Sequence, residues 1–244
     1  MNVSRTRIKI CGLTREQDVD AAVAAGADAV GFVLYGPSPR HVSIERAAEL
    51  AHRLPPFVTP VLLFVNATAM EIIAACTRIP YALVQFHGNE TPEMCLQIAR
   101  PFMRAARIPL NEKPVDSGCH FDLVKYVELF KEAQAILLDA HVDGFGGGGK
   151  TFNWSLLPPS VNAHLVLSGG LTPANVGDGI QQVRPRGKTL AIDVSSGVEE
   201  CLPNGSPRKG IKSPELINQF VTAVRAADDQ LAKNVISNVR VPTT

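Results

Sequence analysis

Short apolar runs alternate with amphipathic stretches along most of the chain. The runs at residues 7–11, 29–33, 61–64, 83–86, 102–106, 135–139, 164–168 and 190–193 are too short for helices and rich in Val, Ile, Leu and Phe, so they predict strands. Between them lie helix signals. Ile44, Ala47, Ala48 and Ala51 recur at helical spacing behind Ser43, an N-cap residue type. Thr91-Pro92, Thr172-Pro173 and Ser213-Pro214 each set a capping hydroxyl before a proline suited to the first helical position. Thr14 with Gln17 and Thr68 with Glu71 have capping-box spacing, and Asp122 is placed to cap a stretch reaching Lys131. After the sixth strand, Pro158-Pro159 limits any helix to about two turns.

The intervals between strand starts each leave room for a helix and two loops, and no hairpin signal separates the main runs. Strand–helix–strand repeated in this way means parallel strands joined by crossover helices. Eight such units predict an α/β fold, a single (β/α)8 TIM barrel. A doubly wound open sheet is the structural alternative, but it usually has fewer strands, and no composition break marks a second domain. The barrel is expected to occupy residues 1–227, with 228–244 as a C-terminal extension that carries no chemistry.

Composition narrows the function classes. The 244 residues are 45% hydrophobic and 19% charged, which is ordinary globular composition. The net charge of +1, with no basic block, gives no support for nucleic acid or an anionic membrane as partner. No apolar run reaches the ~18 residues of a membrane span, and the first seven residues contain no apolar leader segment. Cys11, Cys76, Cys95, Cys119 and Cys201 are odd in number and have no metal-ligand spacing. That pattern points to free thiols in a reducing, cytoplasmic setting and to no metal site. A small-molecule substrate and a monomer or homodimer are expected.

In a barrel, chemistry gathers where strands end and βα loops begin. Cys11 closes the first strand in Lys9-Ile10-Cys11-Gly12, and Lys9 shares its parity, which implies a polar, paired interior at that level. Asp193 closes the eighth strand, which neighbours the first in a closed barrel. A thiol and a carboxyl across one pocket suit paired base and acid work; the structural alternatives are a small buried hydrophobe and a turn cap. Ser168-Gly169-Gly170 and Ser195-Ser196-Gly197 follow strands seven and eight, where barrels commonly bind phosphate through backbone N–H groups. Arg40 lies in a proline-rich loop after strand two and could fork onto a carboxylate. His87 and Asp139 end strands four and six and are expected to line the substrate pocket.

Residues 144–151 match G-x-x-x-x-G-K-[ST] letter for letter and follow a strand, so a nucleotide-binding protein is a rival reading. A phosphate cradle of that kind must open a good helix, which Pro158-Pro159 forbids, and four consecutive glycines favour a mobile flap.

Taken together, Lys9-Ile10-Cys11-Gly12-Leu13-Thr14, Val84-Gln85-Phe86-His87-Gly88-Asn89-Glu90, Leu137-Leu138-Asp139-Ala140, Gly149-Lys150-Thr151-Phe152, Leu167-Ser168-Gly169-Gly170-Leu171 and Ile192-Asp193-Val194-Ser195-Ser196-Gly197-Val198-Glu199 resemble the phosphoribosylanthranilate isomerases of tryptophan biosynthesis. The resemblance covers the chain from about Ile8 to Arg225. It implies a cofactor-free Amadori rearrangement. By resemblance, Asp193 is the general acid that opens the furanose ring and Cys11 the general base that takes the C2 proton. Arg40 would then face the anthranilate carboxylate, and Gly169, Gly170, Ser195, Ser196 and Gly197 would hold the phosphate. The Gly-Lys-Thr string becomes the loop after strand six. Another sugar-phosphate isomerase on the same barrel, such as the histidine-pathway aldose–ketose isomerase, is the alternative; it is usually associated with an aspartate where this chain has Cys11. The stretch from Glu200 to Gly210 is longer than the family's usual link and is expected to enlarge a rim loop, and Asn153 stands where the family often has an acidic residue.

Overall fold

The computed structural model describes residues 5–110, 121–140, 151–203 and 205–239. Eight parallel strands close into a barrel in sequence order: β1 (Arg7–Cys11), β2 (Ala29–Val33), β3 (Thr59–Phe64), β4 (Leu83–Phe86), β5 (Phe102–Ile108), β6 (Ala135–Ala140), β7 (His164–Leu167) and β8 (Thr189–Val194), with β8 pairing β1. All eight lie where the apolar runs place them. Helices α1 (Glu16–Ala24), α2 (Ile44–Ala51), α3 (Ala69–Arg78), α4 (Pro92–Gln97), α5 (Leu123–Leu129), α6 (Val176–Val183) and α7 (Pro214–Val239) form the outer shell.

Strand parity divides the core. Ile8, Ile10, Val30, Phe32, Leu62, Phe64, Val84 and Phe86 belong to the large cluster between strands and helices. Val61, Met103, Ala105, Leu137 and Val166 form a small plug inside the barrel. Ala105, Leu137 and Val166 share one register row, and one pleat nearer the C-terminal ends the row continues as Arg107 opposite Asp139. The interior therefore changes from apolar to polar towards the end where the βα loops begin.

Most helix starts obey their caps. The Ser43, Thr91 and Ser213 hydroxyls accept the N–H groups of Arg46, Met94 and Leu216, the Asp122 carboxylate accepts that of Lys125, and Thr68 and Glu71 form a reciprocal capping box. Two starts differ from expectation. The Thr14 hydroxyl is taken by the carbonyl of Gly210 at 2.7 Å, so α1 begins at Glu16 with Arg15 as its uncapped N-cap. Thr172-Pro173 lies in a turn; the Asn175 side chain accepts the Thr172 N–H at 2.8 Å and donates to Gly170 O at 3.0 Å, and α6 starts at Val176. Helix α5 stops at Leu129, short of Lys131. After β6 the described helical segment is one 3₁₀ turn, Trp154–Leu156, as the proline pair requires.

The stretch expected as an enlarged rim loop is an antiparallel hairpin, β9 (Glu199–Cys201) with β10 (Pro207–Lys212), pairing Glu199 with Lys212. Helix α7 continues unbroken past residue 228. Asp228 accepts the Thr6 N–H at 2.9 Å and pairs with Arg184 at 2.5 Å, fastening the helix just ahead of β1, at the opposite end from the loops of interest.

Candidate active site

Lys9 and Asp193 are opposite each other in the β1–β8 ladder, both pointing inward. Lys9 Nζ donates to Asp193 Oδ1 at 2.8 Å, with only 4% and 6% of the two side chains exposed, so little solvent screens the pair. Ser168 Oγ donates to the other carboxylate oxygen at 3.2 Å. The Lys9 ammonium also lies near the Cys11 thiol, both lining the space over Gly31. Gly31 of β2 is the register partner of Cys11, and a Cβ there would lie 2.6 Å from Cys11 Sγ and 3.1 Å from Lys9 Nζ. Glycine at this position makes the room that ammonium and thiol occupy. Burial opposes the charge on Lys9, but Asp193 and Cys11 outweigh it and raise the ammonium's pKa. Burial pushes the Cys11 thiol up, with Lys9 pulling the other way.

Across the interior, His87 Nε2 meets Asp139 Oδ2 at 3.0 Å, and His87 Nδ1 meets Gln85 Nε2 at 3.0 Å. All three residues are buried. The turn that carries His87 is fixed by a second buried pair. Glu90 accepts the N–H groups of Asn66 and Gly88 at 2.7 and 2.9 Å, while Arg104 donates to the carbonyls of Phe86 and Gly88 at 3.0 and 2.9 Å.

The glycines after β7 have φ of +80° at Gly169 and +63° at Gly170, a region that favours glycine. Their N–H groups donate to no group among the described residues, and Gly169 packs against Asp139 Oδ1. A Cβ at Gly197 would come within 1.9 Å of Leu171 O, so this glycine lets the two loops close on each other. Ser195 precedes a 3₁₀ turn over Ser196–Val198, and its carbonyl accepts from Lys212 Nζ at 2.9 Å.

Arg40 is buried, and its fork is already engaged. Nε and Nη2 donate to the two Glu199 oxygens at 2.7 and 2.8 Å. Lys212 Nζ reaches the same carboxylate at 3.2 Å, and the Gly210 N–H at 2.8 Å. Burial raises the Glu199 pKa, but Arg40, Lys212 and the Gly210 N–H outweigh it and hold the carboxyl below its usual range. Burial pushes Lys212 down to about 8. A Cβ on Gly12 would meet Arg40 Cδ at 2.5 Å and Ser195 Oγ at 3.1 Å, so the arginine lies directly over the end of β1.

The structure thus brings Cys11, Asp193, Ser168, Ser195 and Arg40 to one side of the barrel mouth, with His87 and Asp139 facing them beside Gly169. Gln85, Gly31, Glu199 and Lys212 are additions. Gly31 and Gln85 have the parity of inward positions on β2 and β4, and that parity is the sequence signal that could have found them; Lys212 has no local signal, because only the hairpin brings it to Glu199. Residues 144–150 and Cys119 lie outside the described residues. Among the described residues, no group of three His, Cys, Asp or Glu is arranged to hold a metal ion, and no helix is long and apolar enough to cross a membrane.

Comparison with known proteins gives one family. Residues 8–223 match the family described as N-(5'-phosphoribosyl)anthranilate (PRA) isomerase. The N-(5'-phosphoribosyl)anthranilate isomerase of Methylibium petroleiphilum is 56% identical over 232 residues, covering 95% of this chain and all of that protein. The crystal structure of phosphoribosyl anthranilate isomerase from Thermotoga maritima is 38% identical, with a TM-score of 0.73 over 91% of this chain and 99% of that one. A further isomerase structure, in complex with reduced 1-(o-carboxyphenylamino)-1-deoxyribulose 5-phosphate, is 36% identical, with a TM-score of 0.70 over 91% of this chain and 99% of that one. The nucleotide-binding reading of residues 144–151 is set aside by these matches. The chain belongs to the N-(5'-phosphoribosyl)anthranilate isomerase family.

Proposed function

We infer that the chain performs its family's reaction by acid–base catalysis at the barrel mouth, with Cys11 as base and Asp139 as acid. The protein is a phosphoribosylanthranilate isomerase of tryptophan biosynthesis, converting N-(5'-phosphoribosyl)anthranilate to 1-(2-carboxyphenylamino)-1-deoxyribulose 5-phosphate. The observation that carries the catalytic assignment is the Lys9 ammonium, hydrogen-bonded to Asp193 and lying beside the Cys11 thiol.

The reaction needs a proton on the furanose oxygen as the ring opens to an imine, and then a base to take the C2 proton. The resulting enol is protonated at C1, and the C2 hydroxyl becomes the ketone. Protons are only moved, so the protein must supply a donor and an acceptor. Cys11 is the acceptor. Lys9 beside it counters part of the burial that, on balance, raises the thiol's pKa. The resemblance assigned the donor role to Asp193, but its two oxygens already accept from Lys9 and Ser168, which leaves no proton to give. Its work is to hold Lys9 against Cys11. Asp139 pairs with an imidazole, a partner that can take up or return a proton, and it faces the same pocket. The donor role therefore passes to Asp139. Each proton transfer contributes roughly 10²–10⁴-fold.

The N–H groups of Gly169 and Gly170, which donate to no group among the described residues, support a phosphate site with Ser195, Ser196 and Gly197. Arg40 Nη1, with no partner among the described residues, is left for the anthranilate carboxylate while Glu199 fixes the rest of the fork. The same reading places the enzyme in the cytoplasm, as a monomer or homodimer without nucleic acid, and keeps residues 228–244 out of the chemistry.

The test follows the loss of phosphoribosylanthranilate generated in situ from anthranilate. The intact protein should turn it over, and Cys11→Ala should lose at least about a hundredfold in kcat while still binding product. Unimpaired turnover by Cys11→Ala would remove the thiol from the mechanism.

A further inference from the structure

The Gln85 side chain is fully buried, and its Oε1 has no hydrogen-bond partner although its Nε2 lies 3.0 Å from His87 Nδ1. A glutamine amide has a broad, roughly two-fold terminal torsion, so it can present either nitrogen or oxygen to the imidazole. As placed, with the amide nitrogen at His87, the amide oxygen meets no donor among the described residues. No donor on the far side therefore holds the amide in this direction, and its partner at the near end is the imidazole.

Hydrogen-bond complementarity carries that choice to Asp139. With the amide N–H at Nδ1, that nitrogen is the acceptor, Nε2 carries the hydrogen, and Asp139 opposite it is a carboxylate. With the amide oxygen at Nδ1, that nitrogen carries a hydrogen, and the proton on the Nε2–Oδ2 bond is shared by an imidazolium–carboxylate pair that becomes a neutral pair when the proton passes to Asp139. Going from the first arrangement to the second takes up one proton from water. It arrives on Nδ1 as the amide turns, and the Nε2 hydrogen passes to Asp139 Oδ2.

We propose that Gln85 is a positioning residue whose reversible amide sets the tautomer of His87 and so loads Asp139 with the proton it donates. The proposal rests on Asp139 as the donor. Its sense is that a buried donor must be charged again for each turnover, and an amide with one idle end can follow that change without breaking a second bond.

The experiment compares the full-length protein with Gln85→Glu and Gln85→Met, reading His87 by ¹⁵N NMR of histidine-labelled protein together with kcat and KM. A carboxylate can only accept, so Gln85→Glu should hold His87 with its hydrogen on Nδ1. Methionine offers Nδ1 no donor or acceptor of comparable strength, so Gln85→Met should show the hydrogen on Nε2. The Met variant should lose roughly ten- to a hundredfold in kcat with KM within about twofold, and the Glu variant should keep at least about ten times the kcat of the Met variant. A merely structural role predicts the reverse order, since methionine suits a barrel interior better than a charge. The proposal is overturned if the tautomer is the same in all three proteins, or if Gln85→Met turns over as fast as the wild type. A wild-type kcat in Asp139→Asn would instead overturn the donor reading beneath it, so the two failures are read from different variants.

Discussion

Lys9 and Asp193 are both ladder partners and ion-pair partners, 2.8 Å apart inside the barrel. One contact ties the closing seam of the sheet to the thiol at its mouth. Removing one member leaves the other charge buried and unpaired, which typically costs about 3–5 kcal/mol. Lys9→Met should show that loss in urea denaturation, together with a fall of at least about tenfold in kcat. Full activity in a folded Lys9→Met protein would mean that Cys11 needs no cation beside it.

Gly31 provides a separate test of how tightly the thiol is held. A methyl there meets Cys11 Sγ at 2.6 Å and the Cys11 Cα at 3.1 Å, and the latter cannot move without the strand. Gly31→Ala should destabilise by about 1–3 kcal/mol and should lower kcat more than it raises KM. Steady-state kinetics beside thermal unfolding would check this; a variant matching wild type in both would show that the thiol can shift aside.

The hairpin network makes a pH prediction. Lys212 falls from 10.5 to about 8 on folding. Between those values the unfolded chain binds a proton at this site that the folded chain does not, so the contribution of Lys212 to stability rises with pH through that window. Compared with Lys212→Met, the wild type should gain stability from about pH 8 to 10.5. Glu199 works in the other range. Its depressed pKa contributes stability that is present above the ordinary carboxylate value and lost as pH falls through the folded one. Parallel denaturation series for wild type and Glu199→Gln should diverge at neutral pH and converge in acid; parallel curves throughout would contradict the assignment.

The barrel was legible because buried parallel strands write themselves as short apolar runs and N-caps announce the helices between them. Thr14 and Thr172 misled for different reasons: the Thr14 hydroxyl is claimed by the Gly210 carbonyl, distant in sequence, whereas Thr172 lies in a local turn closed by the Asn175 side chain three residues on. Parity marked Lys9 as needing a partner, and Cys11 as its neighbour. The register that makes Asp193 that partner depends on how the barrel closes, which no local pattern states. The carboxylate nearest Cys11 in strand order therefore looked like the acid, whereas the one across the interior, beside His87, is free of the lysine. The hairpin was hidden because its ladder pairs Glu199 with Lys212, two charged residues that read as surface until their buried partner, Arg40, is in place.

The most direct test sets Asp139→Asn beside Asp193→Asn, measuring kcat for phosphoribosylanthranilate and stability in urea for both. Asp139→Asn should lose about 10²–10⁴-fold in kcat with little loss of stability, because asparagine can still hydrogen-bond to His87. Asp193→Asn should lose about 3–5 kcal/mol of stability through the stranded Lys9. If Asp139→Asn turns over like the wild type while Asp193→Asn keeps its stability and loses catalysis, the proton comes from Asp193 and the division of labour argued above is wrong.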